Sequence, residues 1–208
     1  SWPISIFGIF TWMQLASDRW ALGLFATTQE VGLYAALFQL GYHPMSIATG
    51  MVMQFLLPIF YQRAGDASDD RRNAGVNTLS WRVTGIALGL TGAVFFATLL
   101  FHAQIFSILV AAEYASVSHL LPCWLLAGGL FAAGQTLALN LMSQMKTQIM
   151  IAPKLMTALL GVALNFAGAY WYGITGIVIA GTLFSLSYLV WMAALAKREE
   201  PGFLFHHE

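Results

Sequence analysis

Six apolar stretches fill almost all of this sequence, each about long enough to cross a lipid bilayer. They run over about 3–26, 32–61, 79–101, 118–142, 155–172 and 174–196, and a spanning helix needs about 20 mostly apolar residues. The chain is 59% hydrophobic and 9% charged, whereas a soluble domain carries about 25% charge. Too few polar side chains remain to cover a water-facing surface. The expected fold is an all-α membrane protein, a six-transmembrane-helix bundle over 1–198 with a tail over 199–208.

The net charge is zero, so no nucleic-acid partner is expected. One cysteine, Cys123, allows no internal disulfide and no metal cluster. The sequence opens on Ser1 and runs at once into apolar residues without a signal-peptide pattern, which reads as a piece of a longer chain. No Ser-His-Asp or HExxH arrangement, nucleotide loop or metal spacing is present. The chain is expected to be no enzyme and to hold no cofactor.

Charge between the apolar stretches sets an orientation. Connection 62–78 holds Arg63, Arg71 and Arg72, with Arg82 just beyond; 143–154 holds Lys146 and Lys154; Lys197 and Arg198 follow the last stretch. The other three connections hold no Lys or Arg. By the positive-inside rule the basic side is cytoplasmic. Both ends of the unit are then cytoplasmic, 102–117 is external, and the membrane is the inner (plasma) membrane, whose anionic headgroups meet the Arg63–Arg82 region.

The remaining basic residue, Arg19, sits beside Asp18 inside the first apolar stretch. A charge at membrane depth is costly and functional by default. Either Arg19 snorkels to the external headgroups, or it faces a cavity and holds an anion by paired hydrogen bonds, with Asp18 tempering its charge. Adjacent helical residues lie about 100° apart, so an intimate pair is not required. Gln14 lies one turn before Asp18.

Polar residues recur at helical spacing elsewhere. Gln39, His43, Ser46, Gly50 and Gln54 follow one stripe of the second stretch, and Thr136, Asn140 and Ser143, with Gln135 adjacent, follow one on the fourth. These stripes either glue helices together or line a wet cavity. His43 precedes Pro44, where a kink near Met45 is expected; it either bonds a carbonyl freed there or titrates. Gly85, Gly89 and Gly92 form a small-residue stripe that permits close helix approach. The sixth stretch, apolar except for Ser185 and Ser187, is expected to face lipid or another helix. Tyr172-Gly173-Ile174-Thr175-Gly176 is short enough to force a hairpin. His206 and His207 carry no reading.

Several segments are familiar as an ordered set. Asp18-Arg19, then Glu30-Val31-Gly32-Leu33-Tyr34 and a long helix ending Phe55-Leu56-Leu57-Pro58, resembles the start of the second half of Wzx-type polysaccharide flippases. These belong to the multidrug/oligosaccharidyl-lipid/polysaccharide (MATE-like) exporter superfamily. Ala112-Glu113-Tyr114-Ala115 before Leu120-Leu121-Pro122 resembles the family's external loop entering its tenth helix, and Leu164-Asn165 through Ile179-Ala180 resembles its final hairpin. The resemblance implies one lobe of a two-lobe transporter, its first, second and fourth helices lining a central cavity, with a missing N-terminal six-helix lobe as partner. It implies an undecaprenyl-diphosphate-linked oligosaccharide as substrate, flipped outward by alternating access for O-antigen, capsule or exopolysaccharide synthesis, and Arg19 as the matching cavity cation. The cavity set expected is Arg19, Asp18, Gln14, Gln39, His43, Gln54, Gln135 and Asn140. Two other readings stay open: a cation-coupled multidrug exporter, favoured by an acidic cavity, and an inactive half-transporter with a structural role.

Overall fold

The computed structural model describes residues 2–199, and all secondary structure among them is helical. Six α-helices follow one another: α1 (Trp2–Phe25), α2 (Thr28–Leu40), α3 (Tyr42–Ala64), α4 (Asp70–Leu109), α5 (Leu121–Ser143) and α6 (Ile151–Arg198). Short 3-10 turns, Ala112–Leu120 and Gln148–Met150, lead into α5 and α6. Among the described residues, four segments are long and apolar enough to cross a membrane: Thr28–Ala64, Asp70–Leu109, Ala112–Ser143 and Gln148–Arg198. This is the build of an all-α membrane protein. The tail beyond Glu199, with His206 and His207, lies outside the described residues.

Local chemistry explains where the helices start. Thr27 caps α2 through a reciprocal box: its hydroxyl accepts the Glu30 N–H (3.3 Å), and the Glu30 carboxylate accepts the Thr27 N–H (2.8 Å). The second helical stretch therefore begins at Thr28 rather than near 32. Asp69 caps α4, accepting from the N–H groups of Arg71 and Arg72, so α4 runs 40 residues, about 60 Å against roughly 30 Å of hydrocarbon. It absorbs much of both connections expected at 62–78 and 102–117.

Two breaks shape the bundle. The bend expected near Met45 falls instead at Gly41 (φ −97°, ψ −79°) between α2 and α3. Pro44 sits in the first turn of α3, where a missing N–H costs nothing. At Gly41 the backbone passes so close to Trp124 that a Cβ would lie 2.9 Å from its ring. The second break is Gly173 (φ +55°, ψ −131°), inside α6. The backbones of Gly168 and Gly176 touch across it, and a Cβ on Gly168 would lie 2.5 Å from the Gly176 carbonyl oxygen. Eight residues along a straight helix would be about 12 Å apart. The chain thus folds back on itself, making α6 the expected hairpin with arms 151–172 and 174–198.

The second arm is central: Ile177, Val178, Phe184, Ser185, Tyr188 and Met192 are buried, and α6 packs on α5 and α1. One face thus packs on other helices, while Ile179, Leu183, Leu186 and Val190 leave an exposed apolar face. Trp124 of α5 is a hub, its ring 5.3–6.3 Å from those of Tyr34, Phe38 and Tyr42 and its far edge filling the space above Gly181. Gly85, Gly89 and Gly92 make no close approach within the chain; all three face open space. Close approach occurs instead at Gly129, which Thr91 of α4 overlies.

The basic residues gather at one end. Lys146 pairs with Glu199 at 2.9 Å. Arg72 donates to the carbonyls of Arg63 (3.1 Å) and Gln62 (3.2 Å), closing α3 onto α4. In the connection between them, the Ser68 hydroxyl and N–H hold the Asp66 carboxyl below the usual carboxylate range. Phe60 and Ala64 pack with Val76 and Leu139, while Leu141, Met150, Met192 and Ala196 join the ends of α5 and α6.

Candidate functional site

Asp18 and Arg19 part company on α1. Asp18 is 5% exposed and accepts the Tyr34 hydroxyl from α2 and the Arg19 backbone N–H. Arg19 is exposed, its guanidinium 5.1 Å over the Phe38 ring, a cation–π contact that leaves N–H edges for another ligand. Phe38 also stacks on Tyr42 and lies 6.2 Å from the His43 ring. Arg19, Phe38 and His43 thus form one surface where α1, α2 and α3 meet.

Behind that surface, Asp18, Phe38, Tyr42, Trp124, Asn165 and Ser185 enclose about 20 Å3, the size of a single water. Asn165 of α6 donates to Ser17 of α1 at 2.8 Å, so the hairpin itself fixes the helix that carries Asp18. Ser185 Oγ and Trp124 Nε1 are buried without a hydrogen-bond partner.

Beside this pocket runs a groove of about 230 Å3 between α3 and α5, lined by Tyr42, Ser46, Gly50, Gly128, Phe131 and Gln135 among others. Gln135 accepts the Tyr188 hydroxyl at 3.3 Å. A smaller recess of about 30 Å3 lies where Phe131, Gln135, Lys154, Thr157, Phe184 and Tyr188 meet.

The structure therefore sorts the expected cavity residues. Arg19 stands with His43 around Phe38 at the α1–α2–α3 junction, Asp18 is buried behind them, and Gln135 lines the groove. Gln39 and Gln54 are exposed on α2 and α3 and line none of the three hollows described above. Asn140 is a correction: it is 1% exposed, donates to Asn77 of α4 at 2.8 Å and accepts from Gln144 at 2.8 Å. Its amide N–H ties α5 to α4 and its carbonyl oxygen takes Gln144 at the end of its own helix, so it acts as glue and lines none of the hollows described above. The Gln14 side chain lies outside the described residues. Lys154, which the sequence shows only as part of a basic connection, also lines the smaller recess. The signal available was Lys154 to Thr157 at the start of a helical face. Comparison with protein-family models, curated proteins and solved structures returns no match.

Proposed function

We propose that this chain is one six-helix lobe of a MATE-like transporter that flips an undecaprenyl-diphosphate-linked oligosaccharide across the inner membrane. The six passes of this reading are α1, α2 with α3, α4, α5 and the two arms of α6. The observation that carries it is Arg19, a cation held open on Phe38 beside a groove with polar residues. The ordered resemblance to polysaccharide flippases supports the substrate class, and the gathering of basic residues at one end supports a cytoplasmic face there. The cation-coupled exporter is less well supported: Asp18, the acid it needs, is sealed behind Tyr34, and α3 contributes no Asp or Glu to the open side.

The test uses the complete reading frame in a strain lacking its own flippase, scoring surface polysaccharide at equal membrane abundance. Arg19→Ala is expected to lose it, and Arg19→Lys, which keeps the charge without the planar fork, to lose most of it. Wild-type polysaccharide from Arg19→Ala would overturn the assignment of Arg19. Rescue by Lys alone would show that charge suffices.

A further inference from the structure

The hairpin of α6 carries a groove of its own on an exposed face. Its first arm, 151–172, is about 33 Å of helix, roughly one hydrocarbon thickness. The turn at Gly173 therefore stands at the membrane interface opposite the basic end. Tyr170, Trp171 and Tyr172 are exposed there, as interfacial aromatic anchors are, and Phe25 at the end of α1 meets the Tyr170 ring at 5.4 Å. From the turn the groove runs between the two arms. It measures about 170 Å3 and is lined by Leu164, Ala167, Trp171, Tyr172, Ile179 and Leu183 among others. No Asp, Glu, Lys or Arg lines it. Leu164 lies about 12 Å of helix before Tyr172, and Leu183 about 15 Å beyond Gly173, so the groove reaches about the depth of one leaflet.

A carboxylate stands at its mouth. Glu30 Oε2 accepts the Thr27 N–H at 2.8 Å and the Thr27 hydroxyl at 2.9 Å. Glu30 Oε1 faces the hairpin, 3.6 Å from where a Cβ on Gly173 would stand, and Gly173 adjoins Tyr172 of the groove. Among the described residues no Lys or Arg pairs with Glu30. The chain holds no Lys or Arg between Arg19 and Arg63, between Arg82 and Lys146, or between Lys154 and Lys197, and Arg19 lies over Phe38. An apolar slot one leaflet deep, with an unneutralised carboxylate at the interface, suits a lipid whose headgroup is a cationic hydrogen-bond donor. We propose that the groove binds phosphatidylethanolamine from the leaflet opposite the basic end. One acyl chain lies between the hairpin arms, and the primary ammonium donates to Glu30 Oε1. A polyprenyl tail is far longer than the groove is deep. The site depends on the membrane build alone and not on what the protein transports.

The test titrates the full-length protein in detergent with phosphatidylethanolamine or phosphatidylglycerol of identical acyl chains, bound lipid being counted by native mass spectrometry. Phosphatidylethanolamine is expected to bind more tightly by about threefold or more, the scale of a partly exposed ion pair; equal affinities overturn the proposal. Glu30→Gln removes the charge and keeps an acceptor for Thr27, since Gln also completes a capping box. It is expected to bring phosphatidylethanolamine down to the affinity of phosphatidylglycerol, whose own binding stays unchanged or tightens. Undiminished phosphatidylethanolamine binding by this variant, at the wild-type unfolding temperature, overturns the proposal. Should Glu30→Gln fail to fold, the wild-type comparison and Ala167→Phe decide. Ala167→Phe fills the groove and is expected to weaken both lipids alike; if it changes neither, another part of the protein covers the groove and the proposal falls. It falls equally if undecaprenol displaces phosphatidylethanolamine and Glu30→Gln is silent, since the groove then takes an isoprenoid chain without reading a headgroup.

Discussion

Tyr34 donates its hydroxyl to Asp18 in a setting almost closed to solvent, so Tyr34→Phe leaves a buried carboxylate short of a donor. The expected cost is about 1–3 kcal/mol, read as a lower unfolding temperature in detergent. Asp18→Asn removes the charge that needed the donor, so the double variant should fall less than the sum of the two singles; additivity would mean that the two side chains do not act as a pair. Asp18 was conspicuous in the sequence because a carboxylate stood in an apolar stretch. Its partner was not legible, since Tyr34 lies 16 residues away and reaches it only through the angle between α1 and α2. Lys154 shows the opposite failure. A basic residue between two apolar stretches looks like any rim charge, and only the packing of α6 on α5 brings it to the same recess as Gln135. Asn140 was ambiguous for a physical reason: an amide serves equally well as glue or as ligand contact, and a stripe does not say what faces it.

The four long apolar segments were legible because hydropathy and length together mark a span, and the hairpin was legible because too few residues separate its arms for any other connection. Element ends were less so. The Thr27–Glu30 box and the Asp69 cap are short-range signals that apolar runs overshadow, and the break at Gly41 depends on Trp124, which lies 83 positions later in the chain. Glycine spacing alone misled at Gly85, Gly89 and Gly92, since it records permission for close packing and not its occurrence. This gives a paired prediction. Gly176→Ala puts a Cβ onto the Gly168 carbonyl and should destabilise the chain by about 1–3 kcal/mol through overpacking. Gly89→Ala meets nothing and should be neutral or stabilising by up to about 1 kcal/mol. Thermal unfolding of the two variants side by side checks both; equal losses would mean that the α4 stripe is covered.

For the whole molecule, the clustering of basic residues predicts sidedness. In a Cys123→Ser background, which removes the exposed native thiol, a cysteine at Ser116 should react with an impermeant reagent in intact cells and one at Ser68 should not. The reverse pattern would refute a cytoplasmic basic end. A single lobe leaves its open groove facing lipid, which has no hydrogen bonds to offer. The purified chain alone in liposomes is therefore expected to flip no polyprenyl-linked oligosaccharide, and robust flipping would refute the two-lobe reading. The Asn165–Ser17 bond carries a consequence for how the protein is made. It joins positions 148 residues apart, and at about 5–20 residues per second a ribosome needs roughly 7–30 s to bridge them. For that interval α1 is already synthesised while the hairpin that will hold it is still emerging. Tyr34 ties α1 to α2 early, but the seam of α1 with the hairpin closes late, so a premature stop anywhere before Asn165 leaves Ser17 without that bond as well as shortening the chain.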